Sequence, residues 1–208
     1  MERGGFPPDG RPIGDPSWVP WSPAEVAGRL DGVAVPWCVA GGWAVDLFSG
    51  EVSRPHEDIE IAVPAAGFPA IRSALPDLEF HVVGAGQAWP VDSPAFAIMN
   101  QTWGWQHSSG AYCLDVFREP HDGDTWICRR DQSIRLPYDA VIRESADGIP
   151  YLAPQIVLLF KAKNGRRKDS ADLAATLPRL AAEDRDWLAW ALRLVHPGHP
   201  WLAEVSAA

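Results

Sequence analysis

CVAGGWAVDLFSGEVSRPHEDIEIAV, residues 38–63, decides the fold of this chain. An apolar start leads into the pair Gly41-Gly42 and a helix-like segment, and a strand that carries Asp58 and Glu60 follows. Residues two apart in a strand point to the same side, so we expect both carboxylates on one face, about 6–7 Å apart at the backbone. Two acids at this distance can reach a single metal ion.

The rest of the stretch supports a ligand site. Ile59, Ile61 and Val63 fall on the opposite face of the predicted strand, where they are expected in a core. Burying acids beside such a strand is costly without a cation. A glycine pair after a strand lets the backbone approach a ligand closely, and the helix that it opens offers N–H groups to phosphate. The stretch therefore predicts a site for a metal and a triphosphate. The simpler alternatives are two solvated acids and a glycine pair that only allows close packing.

The order of these segments resembles the nucleotidyltransferases of the DNA polymerase β type, and among them the small aminoglycoside and lincosamide nucleotidyltransferases. The resemblance rests on the apolar strand, Gly-Gly-Trp, the helix and RPHEDIE at residues 54–60. It continues with LDVF at residues 114–117 and with YLAPQIVLLFKAKNGRRKDSADL at residues 151–173, so that it covers residues 22–180. It implies an α+β nucleotidyltransferase fold, with a mixed, mostly antiparallel sheet flanked by helices and with C-terminal helices.

The same resemblance implies a reaction and its residues. A hydroxyl of a small acceptor, such as a cationic aminoglycoside-like antibiotic, attacks the α-phosphate of ATP or another nucleoside triphosphate with the help of Mg²⁺. The implied catalytic and metal-binding residues are Asp58, Glu60 and Asp115, with Asp115 acting as the third ligand or as the base. The residues expected to bind the nucleotide are Gly41, Gly42, Arg54, His56 and Lys168. Lys161 is an alternative cation, and His56 is expected mainly to orient its loop.

Glu60 stands where active relatives commonly carry aspartate, and Gly42 stands where many polymerase-type enzymes carry serine. One extra methylene moves a carboxylate oxygen by about 1 Å, which can reduce a rate around a hundredfold. Two alternatives therefore stay open. One is a catalytically silent relative that binds nucleotide or a partner protein. The other is an antitoxin-like nucleotidyltransferase.

The composition is that of a globular protein, with 47% hydrophobic and 22% charged residues among 208. A formal net charge of −9 argues against a nucleic-acid partner, which usually needs a basic surface. The three cysteines lack the spacing of a zinc site or a disulfide framework. No apolar run is long enough for a membrane span, so we expect a cytoplasmic protein.

We expect a Pro/Gly-rich arm over residues 1–21, a nucleotidyltransferase core over residues 22–150 and a C-terminal helical segment over residues 151–208 that packs on the core. Within the core, Ser22-Pro23 predicts a helix start, and residues 79–142 are expected to be β-rich, including a strand over AFAIM at residues 95–99. In the C-terminal segment, Asp169 or Ser170 is expected to cap a helix. A last helix over residues 184–195 should turn Trp187, Trp190, Ala191 and Leu194 inward.

Other side chains could contact the acceptor. Trp103 and Trp105 are separated by one glycine and could line a pocket that stacks on a sugar or a base. Four acids that follow the Asp115 strand could bind an ammonium group or simply be surface charge. They are Glu119, Asp122, Asp124 and Asp131.

Overall fold

The structure of the protein, a computed structural model, describes residue 7 and residues 9–207. The described chain forms two compact units. Unit 1 holds the described residues up to 36 together with residues 57–119, and unit 2 holds residues 37–56 and 120–207. Residues 1–6 and 8 of the predicted arm lie outside the described residues. The division rests on compactness alone, so the domain boundaries expected after residues 21 and 150 stay predictions.

Short strands dominate unit 1 and helices dominate the second half of unit 2. The strands are β1 (Arg11–Pro12), β2 (Cys38–Val39), β3 (Glu60–Pro64), β4 (Leu78–Gly84), β5 (Gln87–Pro90), β6 (Gln101–Gln106), β7 (Ala111–Glu119), β8 (His121–Asp122), β9 (Thr125–Ile127), β10 (Arg135–Pro137), β11 (Ile142–Glu144) and β12 (Pro150–Leu152). The helices are α1 (Pro23–Arg29), α2 (Gly41–Ser49), α3 (Phe68–Ala74), α4 (Ala95–Ile98), α5 (Tyr138–Val141), α6 (Pro154–Lys161), α7 (Arg167–Thr176), α8 (Ala182–Val195) and α9 (Trp201–Ala207). Two 3₁₀ turns, Ala65–Gly67 and Leu177–Arg179, precede α3 and follow α7.

The sheet of unit 1 is mixed, with the strand order β1-β5-β4-β6-β7-β3. β3 and β7 run parallel, whereas the other neighbours in this unit are antiparallel. Ile59, Ile61 and Val63 are buried, as their alternation with the acids predicts. α3 covers the buried face of the sheet through an edge-on contact of Phe68 with Phe80, whose ring centroids lie 5.4 Å apart.

The described part of the N-terminal arm is attached to this sheet. Arg11 lies opposite Ala88, so β1 extends the sheet by pairing with β5. Farther along, the Val19 N–H donates to the Tyr112 carbonyl at 2.9 Å, and the Tyr112 N–H donates to the Ser17 carbonyl at 2.9 Å. Backbone hydrogen bonds therefore fix this segment along β5 and β7.

In unit 2, β12 pairs with β2 in parallel and with β11 antiparallel, and β8, β9 and β10 form a separate antiparallel sheet. α2 ends at Ser49, and Gly50 caps it in the left-handed region with a φ of 76°. α6 is buried almost throughout, and helices α7 to α9 follow it. The expected α+β fold, with a mixed sheet and C-terminal helices, is confirmed.

Several local expectations are wrong. The acidic strand begins only at Glu60, so Asp58 precedes it. AFAIM forms α4, because the Ser93 hydroxyl accepts from the Ala95 N–H at 3.3 Å and the Arg118 guanidinium donates to the Phe96 and Met99 carbonyls. These contacts satisfy the backbone groups of a single helical turn.

Two further corrections concern the C-terminal helices. Arg166, not Asp169 or Ser170, is the N-terminal cap of α7. The Arg166 N–H donates to the Asp169 carboxylate at 3.3 Å. In α8, Trp190 and Leu194 are exposed, because the buried stripe contains Leu188, Ala189 and Leu192 along with the expected Ala191. Over the described range no helix combines the length and the apolar character that crossing a membrane requires.

Candidate active site

Two predicted acids meet in unit 1, where the parallel strands β3 and β7 pair. Glu60 lies directly opposite Asp115 in the register, and the Asp115 N–H donates to the Ile59 carbonyl at 2.9 Å. Side chains at opposite positions of neighbouring strands project from the same face. The predicted second and third acids therefore lie side by side, on strands that are far apart in sequence.

Asp115 is the buried member of this pair, with only 3% of the residue exposed. Its Oδ2 accepts from Gln101 Nε2 at 2.5 Å, whereas its Oδ1 is buried and has no hydrogen-bond partner among the described residues. Burial, and next the charge of Glu60, raise the pKa of the Asp115 carboxyl well above its ordinary range. Gln101 acts in the opposite direction, and the charge of Asp58 adds to the increase.

These features fit a divalent cation. A buried carboxylate oxygen without a donor, beside a second carboxylate, is a place where a positive charge would replace repulsion by attraction. Carboxylate oxygens are also the ligands that Mg²⁺ prefers. Asp58 is exposed just before β3, within electrostatic reach of Asp115. Among residues 7 and 9–207, no three His, Cys, Asp or Glu side chains are already grouped so that they could hold a metal ion.

The predicted glycine pair opens α2 in unit 2. Gly41 has a φ of 62°, in the left-handed region that favours glycine. Gly42 is needed for space, because a Cβ there would lie 2.6 Å from Arg54 Nη2 and 2.6 Å from His56 Cε1. Arg54 and His56, both predicted to bind the nucleotide, therefore pack against the first turn of α2. No side chain caps this helix start.

His56 is held in place from several sides. Its Nε2 lies 2.6 Å from Asp46 Oδ2, and the Ser53 hydroxyl donates to the other oxygen of Asp46 at 2.6 Å. The His56 ring also lies against Trp43, with 4.4 Å between ring centroids. These contacts fix the loop after α2.

A buried ion-pair network links α6, α7 and this loop. Lys161 Nζ lies 2.7 Å from Asp172 Oδ2 and 3.7 Å from Asp169 Oδ1. Arg54 Nη2 also lies 3.7 Å from Asp172 Oδ2. Lys168, the lysine expected to bind phosphate, is exposed on α7. Its role and those of the other predicted site residues stay predictions.

Sequence reasoning missed three side chains that support the predicted ones. Gln101 donates to Asp115, Asp46 binds His56, and Asp172 joins Lys161 to Arg54. Asp46 carried a signal, since it is the one charged residue in the apolar helix GGWAVDLFS. Asp172 carried another, since it stands three residues after Asp169 and so shares its helix face. Gln101 carried none.

One family of known proteins matches part of the chain. The family described as aminoglycoside-2''-adenylyltransferase matches residues 24–92, which include Gly41, Gly42, Asp58 and Glu60. No curated protein shows significant similarity to the chain.

Solved structures share the fold. The solution structure of the antibiotic-resistance factor ANT(2'')-Ia is 15% identical, with a TM-score of 0.55, over 82% of this chain and 89% of that one. A crystal structure of ANT(2'')-Ia in complex with adenylyl-2''-tobramycin is 16% identical, with a TM-score of 0.55, over 82% and 94%. The lincomycin-bound lincosamide antibiotic adenylyltransferase LnuA is 18% identical, with a TM-score of 0.51, over 73% and 92%. Residues 24–92 are therefore similar to the aminoglycoside-2''-adenylyltransferase family, and the chain shares its fold with antibiotic adenylyltransferases.

Proposed function

We propose that this protein transfers AMP from ATP to a hydroxyl of a small acceptor, such as an aminoglycoside-like antibiotic, in the cytoplasm. The observation that carries the proposal is the pair Glu60 and Asp115, opposite each other on parallel strands. In the described part of the chain, no donor reaches one buried oxygen of Asp115. This pair occurs in a chain with the fold of the antibiotic adenylyltransferases.

The reaction forms one bond and breaks one bond. The acceptor oxygen bonds to the α-phosphorus, the bond from that phosphorus to the bridging oxygen breaks, and pyrophosphate leaves with the electron pair. The hydroxyl proton passes to Asp115 or to water. Mg²⁺, held by Asp58, Glu60 and Asp115, would neutralise phosphate charge and polarise the phosphorus–oxygen bonds.

The remaining predicted residues are assigned to the nucleotide. The N–H groups at Gly41 and Gly42 would donate to phosphate oxygens at the start of α2. Arg54 and Lys168 would neutralise phosphate charge, and His56 would keep the loop in place through Asp46. Lys161 is assigned a structural role, because its ammonium is buried against Asp169 and Asp172.

The direct test is mass spectrometry of acceptors after incubation with the protein, ATP and Mg²⁺ or Mn²⁺. The panel contains tobramycin, lincomycin and a cell extract, and pyrophosphate release is measured in parallel. We expect a gain of one adenylyl group, its loss in Asp58→Asn and in Asp115→Asn, and its persistence in Asp147→Asn. Asp147 is an exposed turn residue and so is a matched control. If no acceptor gains mass and no pyrophosphate is released, the proposal is overturned.

A second function, nucleotide binding without transfer, is favoured by a different observation. Asp58 lies outside β3 and is exposed, and Glu60 replaces the aspartate common in active relatives. Calorimetric titration with Mg·ATP separates the two functions. Binding of Mg·ATP without any transfer would establish the second and exclude the first.

A further inference from the structure

A row of side chains extends from the acid pair across the face of the unit 1 sheet that carries both acids. Asp115 lies opposite Trp103 in β6, and Trp103 lies opposite His81 in β4. Opposite residues of neighbouring strands project from one face. Since strands lie about 4.8 Å apart, His81 is roughly 10 Å from Asp115 at the backbone. The side chains next to His81 therefore share a face with the proposed catalytic acids.

A cleft of about 560 Å³ opens at the far end of this row. Its lining includes Glu79 and His81 from β4, Trp105 from β6, Tyr112 from β7 and Asp15 from the N-terminal arm. Small-molecule sites usually have volumes of about 300–1,000 Å³. The cleft therefore has room for a ligand of two or three rings.

One wall of the cleft is aromatic and well supported. The Trp105 and Tyr112 rings meet edge to face, with centroids 5.0 Å apart. Tyr112 is only 8% exposed and also packs against Trp18 and Trp103, at 5.6 and 5.2 Å between centroids. Rings held in this way offer a fixed surface to the apolar face of a sugar or cyclitol, and their faces attract cations.

The cleft also carries carboxylates, and Glu79 lies directly opposite Trp105 in the register of β4 and β6. The Glu79 side chain remains 54% exposed, with its two oxygens 3.1 Å from His81 Nε2 and 3.2 Å from His107 Nε2. Asp15 supplies a second carboxylate and Arg11 the one guanidinium among the lining residues. An excess of carboxylates beside aromatic rings favours an ammonium-bearing ligand over an anion.

We propose that this cleft is the acceptor site, and that it binds an amine-bearing cyclic compound with a ring against Trp105 and Tyr112 and an ammonium group at Glu79. The inference rests on the proposed function, because it places the acceptor on the same sheet face as Asp115. The assignment of the cleft does not depend on the net charge of the protein or on the glycine turn. The residues that carry it are distinct from those assigned to metal and nucleotide.

The test is titration calorimetry with tobramycin in the absence of nucleotide and metal, so that no chemistry is involved. Trp105→Ala and Glu79→Gln are each expected to weaken binding about tenfold, or 1.4 kcal/mol. Trp105→Phe keeps an aromatic ring and should retain most of the affinity. Trp190→Ala and Glu144→Gln serve as matched controls, because both residues are exposed and neither lines the cleft. A neutral trisaccharide should bind more weakly than tobramycin.

Each outcome bears on a different proposal. Unchanged tobramycin affinity in Trp105→Ala and Glu79→Gln, or no binding by the parent protein, would overturn the cleft assignment. Cleft-dependent binding without adenylyl transfer would leave the assignment in place and overturn the proposed function instead. Transfer that persists at parental KM in both cleft variants would support the function and place the acceptor elsewhere.

Discussion

Glu60 and Asp115 lie opposite each other in parallel strands, and Asp115 presents a buried oxygen that no donor within residues 7 and 9–207 satisfies. Two neighbouring carboxylates repel, and removing one of them from water favours its protonated form. Without a cation, the pair therefore works against folding at neutral pH. This arrangement is expected of a binding site, where the ligand supplies the missing charge.

Asp115→Asn should stabilise the metal-free protein at pH 7, because it removes a charge that burial and the neighbouring Glu60 disfavour. The gain is about 1.4 kcal/mol for each unit by which the folded-state pKa exceeds the unfolded one. The folded-state pKa of Asp115 is raised, so ionisation removes stability as pH rises from the unfolded pKa of about 3.9 through the folded one. The advantage of the amide should therefore vanish near pH 4 and grow toward pH 7. Urea unfolding of the parent and of Asp115→Asn in EDTA, measured from pH 4 to pH 7, checks this pH dependence. Asp147→Asn is the control, and a less stable Asp115→Asn at pH 7 would contradict the expectation.

Mg·ATP should raise the melting temperature, because a ligand that binds only the folded state stabilises it by about 2.7 kcal/mol at a hundred times its Kd. Asp58→Asn should remove most of this increase if Asp58 holds the metal. Lys168→Ala should reduce the increase in melting temperature that ATP produces, but not the increase produced by Mg²⁺ alone. Thermal unfolding with ATP, Mg²⁺ and both together distinguishes these effects. The same increase in parent and Asp58→Asn would place the metal elsewhere.

Glu60→Asp should lower transfer around a hundredfold if the site is built for glutamate, since a displacement of about 1 Å at a reacting centre can have that effect. Mg²⁺ requires near-octahedral oxygens at about 2.0–2.1 Å, so a shortened side chain leaves one ligand too distant. Pyrophosphate release by parent and variant, with Mg²⁺ and with Mn²⁺, measures the change. Glu144→Asp is the matched control. A variant more active than its parent would show instead that the glutamate suppresses activity.

Gly42→Ala should destabilise the protein by about 1–3 kcal/mol, the usual effect of adding a methyl group to a packed site. The added carbon would lie 2.6 Å from Arg54 Nη2 and from His56 Cε1, so the loop would have to move. Gly28→Ala is the control, because nothing lies within 4 Å of a Cβ there and alanine favours its helix. Chemical denaturation of both variants checks the contrast. Equal stability of Gly42→Ala and the parent would show that the loop is free to shift.

Asp172→Ala should cost about 3–5 kcal/mol, as expected when one partner of a buried ion pair is removed. Lys161 Nζ would lose its contact at 2.7 Å, while its side chain is only 9% exposed. The exposed pair of Arg179 and Glu51 provides the comparison, and Glu51→Ala should cost less than about 1 kcal/mol. Urea midpoints of the two variants measure the difference. A similar small loss in both would mean that water reaches Lys161.

Much of the fold followed from neighbours in sequence. Ser22-Pro23 marked the start of α1. The Ser22 hydroxyl accepts from the Glu25 N–H at 3.1 Å. The alternation of Ile59, Ile61 and Val63 identified a buried strand, although not its first residue. Capping and alternation are local, because each depends on residues within a few positions of one another.

The tertiary structure decided what depends on distant partners. The sequence identified Glu60 and Asp115 as acids on strands, but only strand pairing places them opposite each other, 55 positions apart. Gln101 reaches Asp115, and Trp105 meets Tyr112, through the same pairing of β6 with β7. A short apolar run has nearly the same propensity for helix as for strand, so contacts with Arg118 settled α4. Local pattern therefore identified the candidate acids, whereas the register of the sheet decided which of them meet.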